Sequence, residues 1–207
     1  MILTQKQEEG LKIAVQRYRN NEPYTCIAGY AGVGKSTLIR FIISALDLDP
    51  DEVCYIAYTG KAAQVLRRKG CANAMTAHKL LYKSLRRADG SYVHIPHDSI
   101  FPYALIVVDE ISMLPKQMWE LLLSHRRPVI ALGDPGQLPP VSAESCDILN
   151  HPHIFLDEVM RQAKESEIIR LTMDIRDYKP LSLMRGQEVR VVDRNEVFIP
   201  GFFTWAD

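Results

Sequence analysis

The chain has 207 residues, of which 47% are hydrophobic, and this composition predicts one sizeable globular core. Twenty-five basic residues balance 25 acidic ones, so the net charge gives no argument for or against a polyanionic partner. No stretch approaches the roughly 18 apolar residues of a membrane span, and the first residues lack a signal-peptide core, which predicts a cytoplasmic protein with no membrane partner. The four cysteines form no C-x-x-C pair, which favours a reducing cytosol and argues against a zinc site.

Apolar runs alternate with helical patterns along the first two thirds of the chain. The runs predicted as strands are 24–28, 53–58, 104–108 and 129–132, and the helical patterns lie at 36–46, 61–69 and 116–124. Such alternation requires crossover connections and therefore predicts an α/β fold, in which a parallel β-sheet is flanked by helices on both faces. Ligands of such sheets bind at the carboxyl ends of the strands.

The loop after the first predicted strand fits the phosphate-binding pattern G-x-x-x-x-G-K-[ST], also called Walker A. Its glycines allow backbone N–H groups to turn toward phosphates, Lys35 adds positive charge at the β- and γ-phosphates, and the Ser36 hydroxyl holds Mg²⁺. A glycine-rich turn without function is the alternative, but a strand before the loop and a helix after it favour binding of a nucleoside triphosphate. The predicted nucleotide-binding residues of this segment are Gly29, Ala31, Gly32, Val33, Gly34, Lys35, Ser36 and Thr37.

The third predicted strand ends in two carboxylates, Asp109 and Glu110, as the Walker B half of a P-loop NTPase does. Asp109 at the strand tip is expected to reach Mg²⁺, mostly through water, and Glu110 to polarise the water that attacks the γ-phosphate. Carboxylates also favour helix N-termini, so an acidic helix cap is the alternative. The phosphate-binding loop in the same chain favours the catalytic interpretation.

The fourth predicted strand runs into a Gly-Asp-Pro-Gly-Gln sequence at 133–137. Alone this is an ordinary turn. In an NTPase, however, a polar amide beside the phosphates can contact the γ-phosphate and report its loss, so Gln137 is a candidate sensor.

An Asp89-Gly90 pair lies between two short strand-like segments within 83–97. The pair predicts a small β-hairpin, inserted between the second and third strands, with a two-residue turn in which both residues have positive φ. A solvated loop is the alternative.

Six motifs in order closely resemble superfamily 1B helicases of the RecD and Dda type: GYAGVGKST, AYTGKAA, TAHKLL, VVDEISML, GDPGQLPPV and VMRQAKESEII. The resemblance covers residues 3–176. It implies a RecA-like, ATP-binding motor domain at 1–178, with 82–102 as the inserted hairpin and 179–207 as a linker toward a second RecA-like domain beyond this chain. It also implies ATP-dependent 5′–3′ translocation on single-stranded DNA.

The resemblance assigns further nucleotide contacts. Gln7 matches the residue that reads the adenine edge, although Thr4-x-x-Gln7 is also a helix capping box, in which Gln7 bonds the Thr4 backbone N–H instead. Arg161 matches the arginine that approaches the γ-phosphate. The second domain of the family supplies an arginine finger, so we expect this chain to bind ATP and Mg²⁺ but to hydrolyse ATP weakly by itself.

The resemblance also assigns DNA contacts. Thr59, Gly60 and Lys61 match the segment that holds the single-stranded DNA backbone, and His78 matches a second contact segment. The hairpin corresponds to the pin that separates duplex strands, with charge and stacking offered by Arg86, Arg87, Tyr92 and His94. Two other classes remain open: a non-catalytic, ATP-gated DNA-binding module, and a P-loop kinase or transferase.

Overall fold

The structure is a computed structural model that describes residues 3–100, 102–137, 144, 146–158, 167–176, 179, 184–185 and 189–191. The chain divides into two compact units, residues 1–158 and 159–207. Among the described residues, every helix is too short or too polar to cross a membrane.

The first unit is built around a six-stranded parallel sheet with the order β3-β2-β6-β7-β1-β8. Its elements in chain order are α1 (Gln5–Arg19), β1 (Tyr24–Gly29), α2 (Lys35–Ala45), β2 (Val53–Ala57), α3 (Gly60–Arg68), β3 (Ala74–Thr76), α4 (Ala77–Leu81), β4 (Tyr82–Arg86), β5 (Tyr92–Pro96), β6 (Leu105–Val108), α5 (Lys116–Ser124), β7 (Val129–Gly133) and β8 (Ile154–Leu156). The four predicted strands are β1, β2, β6 and β7, and the three predicted helices are α2, α3 and α5. The predicted α/β fold is confirmed.

The central strands are apolar along their whole length because helices cover both faces of the sheet. In β6 and β7 every residue is buried. Ile56 of β2 packs with α4 and α5, whereas the next residue, Ala57, packs with α3, as the alternation of side chains along a strand requires. Burying one such isoleucine contributes about 1.5–3 kcal/mol. Cys26 and Cys54 lie fully buried in β1 and β2, and burial raises the pKa of both thiols to about 12.

Four elements of the sheet domain have no counterpart among the predicted ones. The strands β3 and β8 have three residues each, which is too short for a periodic pattern, and they form the two edges of the sheet. Helix α4 has five residues. Helix α1 is long, and its only strong sequence signal is the capping box at Thr4.

The predicted hairpin is present as the antiparallel pair β4 and β5, in which Tyr82 pairs with Pro96 and Arg86 with Tyr92. The predicted turn type is wrong. Only Gly90 of the Asp-Gly pair has a positive φ, 86°, because the Asp89 carboxylate accepts a hydrogen bond from Ser91 N at 2.9 Å. The loop is closed instead by Arg87, whose N–H donates to Ser91 O at 2.8 Å.

The second unit contains α6 (Glu167–Arg176) and a short antiparallel pair, β9 (Met184–Arg185) and β10 (Arg190–Val191). A carboxylate oxygen of Glu167 accepts a hydrogen bond from Val189 N at 3.2 Å. Arg161, the end of the GDPGQLPPV motif and the segment 192–207 lie outside the described residues.

Candidate nucleotide and DNA site

The parallel sheet brings most of the predicted site residues to one edge, because they follow the carboxyl ends of strands. The exceptions are Gln7, which lies in α1, and Arg161, which lies outside the described residues. The phosphate-binding loop follows β1, Gln137 follows β7, and Asp109 follows β6. Thr59 follows β2, and His78 lies just after β3. In sheet order, the predicted nucleotide residues and the predicted DNA residues therefore occupy neighbouring halves of the same edge.

The phosphate-binding loop delivers the N-terminus of α2 to this edge. Gly32 and Gly34 have φ values of 78° and 80°, a backbone conformation that side chains disfavour, and Gly34 caps α2 without any side-chain hydrogen bond. The first N–H groups of a helix have no intrahelical acceptor and carry a partial positive charge. Lys35, Ser36 and the partly buried Thr37 form the first turn of α2, so this end can bind an anion.

Gly29 serves the packing of the sheet as well as the loop. A Cβ atom at this position would lie 2.6 Å from Leu156 O of β8 and 2.9 Å from Val33 Cγ2. The backbone carbonyl cannot move without breaking the pairing of β1 with β8. Glycine is therefore required here by the neighbouring strand.

Lys35 is held by the loop that it follows. Its Nζ donates to Gly29 O at 2.5 Å and to Tyr30 O at 3.0 Å. These carbonyls fix the ammonium group at the base of the loop, where a triphosphate would compete with them for its protons.

Gln7 forms the predicted capping box. Gln7 N donates to Thr4 Oγ1 at 3.3 Å, and Thr4 N donates to Gln7 Oε1 at 3.1 Å. The same side chain, which is 1% exposed, also donates through Nε2 to Val33 O at 3.1 Å. Gln7 thus fastens the start of α1 to the phosphate-binding loop, and its contact with adenine remains a prediction.

Asp109 and Ser36 line the same cavity of about 50 Å³, beside α2 and α3. Asp109 is positioned by its own backbone N–H, which donates to Ile56 O at 2.9 Å and so extends the pairing of β6 with β2. Burial raises the pKa of the Asp109 carboxyl, while the positive charges of Lys69 and Lys35 lower it. A bound cation would favour the charged carboxylate further.

This donor set fits Mg²⁺ in an NTPase site. The ion prefers oxygen ligands, and it commonly takes one or two protein ligands and completes its shell with phosphates and water. A hydroxyl and a carboxylate are present, and among the described residues no three His, Cys, Asp or Glu side chains cluster as a protein cage would require.

Glu110 turns the chain sharply at the strand tip. Its φ and ψ are both 56°, a left-handed conformation that is unusual for a residue other than glycine, and its side chain is exposed. Such backbone strain costs about 1–3 kcal/mol and is concentrated at functional sites. The turn starts a short 3-10 helix, Ile111–Met113, directly after the carboxyl end of β6.

Gln137 lies in a loop with internal hydrogen bonds. The buried Asp134 accepts Gly136 N on its carboxylate at 2.8 Å and Gln137 N on its carbonyl at 3.1 Å. The side chain of Gln137 is exposed, and its Oε1 accepts a hydrogen bond from Ser112 Oγ at 2.9 Å. Ser112 was not among the predicted site residues, and its only sequence signal is a polar residue within an apolar run.

The predicted DNA residues Thr59, Gly60 and Lys61 form the start of α3 and are all exposed. Thr59 caps the helix, because its hydroxyl accepts a hydrogen bond from Ala62 N at 3.2 Å. The hydroxyl hydrogen can still be donated to a phosphate, and a Cβ at Gly60 would meet no atom within 4 Å. The start of α3 is therefore accessible to a backbone phosphate.

His78 is exposed and lies between two half-buried tyrosines. Its ring centroid is 6.0 Å from that of Tyr58, at the end of β2, and 6.0 Å from that of Tyr82, at the start of the hairpin. On the hairpin, Tyr92 is 63% exposed and pairs with Arg86 across the strands, and His94 Nδ1 lies 2.9 Å from Ser84 Oγ. Aromatic rings are therefore present beside the predicted backbone contacts.

The family model AAA_30, described as an AAA domain, matches residues 3–194. The chain belongs to this family. The AAA domain is 26% identical, over 191 residues, to the ATP-dependent DNA helicase dda of Enterobacteria phage T4, which covers 86% of this chain and 43% of that protein. It is 31% identical, over 119 residues, to the ATP-dependent DNA helicase PIF1 of Trypanosoma brucei brucei, covering 57% of this chain and 11% of that protein.

A solved structure of Bacteroides Pif1 bound to single-stranded DNA has the same fold, with a TM-score of 0.57 and 19% identity over 86% of this chain and 47% of that one. These similarities confirm the resemblance of the AAA domain to superfamily 1B helicases and its RecA-like fold. The chain spans less than half the length of both curated relatives.

Proposed function

We propose that this chain is the ATP-binding motor domain of an ATP-dependent 5′–3′ DNA helicase, which couples ATP hydrolysis to movement along single-stranded DNA. One observation carries the proposal: the nucleotide residues on β1, β7 and β6 adjoin the candidate phosphate contacts on β2 along a single sheet edge. The helicase relatives support it. A cytoplasmic location, predicted from the sequence, belongs to the same proposal.

On the nucleotide side, Lys35 and the N-terminus of α2 bind the β- and γ-phosphates, and Gln7 contacts adenine. Ser36 and Asp109 hold Mg²⁺, which when bound neutralises phosphate charge. Glu110 accepts a proton from the attacking water and orients it. Gln137 contacts the γ-phosphate and responds to its loss, and the γ-phosphate role of Arg161, which lies outside the described residues, stays a prediction from the resemblance.

On the DNA side, the exposed start of α3 binds the strand through phosphates. Thr59 donates its hydroxyl hydrogen, the N–H groups of Gly60 and Lys61 approach the backbone, and the Lys61 ammonium adds charge. His78 contacts a sugar or a base. The β4–β5 hairpin, on which Tyr92 is 63% exposed, separates the strands of a duplex. Helix α3 starts at the proposed DNA contact, and Leu66 near its end and Lys69 directly after it line the same cavity as Asp109.

The test measures three properties of the 207-residue chain: binding of a non-hydrolysable ATP analogue with Mg²⁺, binding of oligo(dT), and ATP hydrolysis with and without oligo(dT). We expect the analogue to bind and to change the affinity for oligo(dT). Lys35→Ala should lose analogue binding, while the exposed Lys12→Ala, on the outer surface of α1, serves as the matched control.

The outcomes separate the functional classes. Oligo(dT) affinity that depends on the nucleotide, together with measurable though weak ATP turnover, supports the motor domain, and stimulation of that turnover by DNA would identify coupled catalysis within this chain. Nucleotide-dependent DNA affinity with no turnover at all favours the non-catalytic module. Transfer of phosphate to a small acceptor, without any effect of DNA, would replace the proposal by a P-loop kinase or transferase.

A further inference from the structure

Ser112 makes a side-chain contact that links two parts of the candidate ATP site. It is 8% exposed and lies in the 3-10 helix Ile111–Met113, immediately after the left-handed turn at Glu110. Its Oγ donates to Gln137 Oε1 at 2.9 Å. The turn that carries the candidate catalytic carboxylate is thereby joined to the loop that carries the candidate sensor.

The unusual backbone of Glu110 makes this contact possible. A buried hydroxyl needs a hydrogen-bond partner, and in helical segments serine commonly donates to a backbone carbonyl of the preceding turn. Here the chain enters the 3-10 helix from a residue with φ of 56°, and Ser112 donates across the sheet edge to the loop after β7. The contact therefore depends on the shape of the Glu110 turn.

The contact fixes the orientation of the Gln137 amide. Because Oε1 accepts the Ser112 proton, the N–H groups of Nε2 are directed away from Ser112. Within the described part of the chain, no hydrogen-bond acceptor engages Nε2. The loop backbone is fixed separately by Asp134, so the backbone and the side chain of Gln137 are both constrained. An amide held in this way can donate to an anionic oxygen with little loss of side-chain entropy.

We propose that Ser112 is a positioning residue for nucleotide recognition: it holds the side-chain amide of Gln137, the candidate γ-phosphate sensor, in one orientation and links this amide to the turn that carries Glu110. The inference rests on the proposed function, since it deepens the role of Gln137 there. Ser112 itself does not contact the nucleotide. When the γ-phosphate is lost, a movement of the Gln137 side chain would be transmitted to the Glu110 turn through its hydrogen bond with Ser112.

The experiment compares the affinity for a non-hydrolysable ATP analogue with that for ADP, both with Mg²⁺, by calorimetry on the 207-residue chain. Removing the orienting hydrogen bond in Ser112→Ala should weaken analogue binding about fivefold to tenfold, which is the effect of one hydrogen bond, and leave ADP affinity within about twofold. Gln137→Ala should weaken analogue binding at least as much. The double variant should equal Gln137→Ala, because the two residues act as one unit.

The matched control is Ser124→Ala. Ser124 also donates its hydroxyl hydrogen, to Leu121 O at 2.7 Å, but it is an exposed residue at the end of α5. It should change neither affinity. If Ser112→Ala fails to fold, Ser112→Cys offers a weak donor of similar shape and should show the same selective loss of analogue affinity.

Three results would overturn the positioning role. These are equal losses for the analogue and ADP, additive losses in the double variant, and unchanged analogue affinity in a folded Ser112→Ala. Each of them is compatible with normal binding by the unmodified chain, which would leave the proposed function intact. A chain that binds no nucleotide overturns the proposed function and, with it, the role of Ser112.

Discussion

The two halves of the carboxyl sheet edge are built differently. On the nucleotide half, around β6, β7 and β1, the backbone adopts left-handed conformations at Gly32, Gly34 and Glu110, and Gly29 packs against a neighbouring carbonyl. On the DNA half, around β2 and β3, both helices begin with ordinary threonine caps, Thr59 and Thr76, and no described residue from Thr59 to Lys69 has a positive φ.

The difference follows from what each half is proposed to bind. A triphosphate and an attacking water have fixed geometry, so their partners must be held within small tolerances by strained or closely packed backbone. A DNA backbone passes many equivalent phosphates over the surface, so exposed N–H and hydroxyl groups suffice. Substitutions on the two halves should therefore differ in size and in kind.

The largest expected effect is that of Glu110→Gln on the nucleotide half. The variant keeps the shape of the side chain but removes the base, so single-turnover ATP hydrolysis should fall about 10²–10⁴-fold while binding of an ATP analogue is retained. Thr59→Ala on the DNA half should leave hydrolysis without DNA unchanged. Rapid-quench measurement of one turnover checks both variants, and a Glu110→Gln variant as active as the unmodified chain would contradict the assigned role.

A smaller effect compares one glycine in each half. Gly29→Ala places a Cβ 2.6 Å from Leu156 O and should lower the free energy of unfolding by about 1–3 kcal/mol. The Cβ added by Gly60→Ala at the start of α3 meets no atom within 4 Å, so this variant should raise the free energy of unfolding by about 0.4–1 kcal/mol. Urea unfolding gives both values. Equal destabilisation by the two variants would show that the halves do not differ in packing.

A third prediction concerns the cap of α3. Thr59→Ala removes the acceptor for Ala62 N and should destabilise the chain by about 1 kcal/mol, together with a loss of oligo(dT) affinity. Thr59→Ser retains the hydroxyl and should restore both properties. Nucleotide affinity should be the same in both variants, as measured by titration without DNA. Loss of nucleotide binding in Thr59→Ala would mean that the two halves of the edge do not bind their ligands independently.

The four central strands could be predicted from sequence because each is a predominantly apolar run, and the carboxyl edge followed from their parallel arrangement. The edge strands β3 and β8 could not, since three residues carry no period and their pairing depends on tertiary contacts. The Asp89-Gly90 pair marked the position of the hairpin turn. Its type depended on a side-chain hydrogen bond to Ser91 that the pattern does not contain.

The candidate nucleotide residues with their own motif, such as Lys35 and Asp109, could be predicted from spacing, and their roles stay predictions. Ser112 was not found, because its contact with Gln137 depends on a left-handed backbone at Glu110, and glutamate carries no signal for that conformation. The two functions of Gln7 were only partly visible: the capping box is local, whereas the bond to Val33 O spans 26 positions of the chain.

The smallest predicted effect compares the two edges of the sheet. At the β8 edge, His153 Nδ1 accepts a hydrogen bond from Cys26 N at 2.9 Å, and His153 N donates to Cys26 O. At the β3 edge, the Arg67 guanidinium donates to Ala74 O at 2.7 Å. An imidazole must be neutral at Nδ1 to accept, whereas a guanidinium stays charged at all accessible pH values.

Of these two edges, only the β8 edge should therefore have a local stability that depends on pH. Burial lowers the pKa of His153, the charge of Arg17 lowers it further, and Glu22 partly opposes this shift. Because the unfolded chain then binds a proton more readily than the folded one, stability is complete above the ordinary histidine pKa of about 6.5 and decreases as the pH falls below it.

Amide hydrogen exchange measured between pH 7 and pH 5 distinguishes the edges, after correction for the intrinsic pH dependence of exchange. The Cys26 amide should lose protection on acidification, whereas β3 amides should keep theirs. His153→Asn places an amide oxygen at the same distance from the backbone as Nδ1 and does not titrate, so it should abolish the pH dependence at β8. Parallel loss of protection at β8 and β3 would indicate global acid unfolding, and the two edges would then be equivalent.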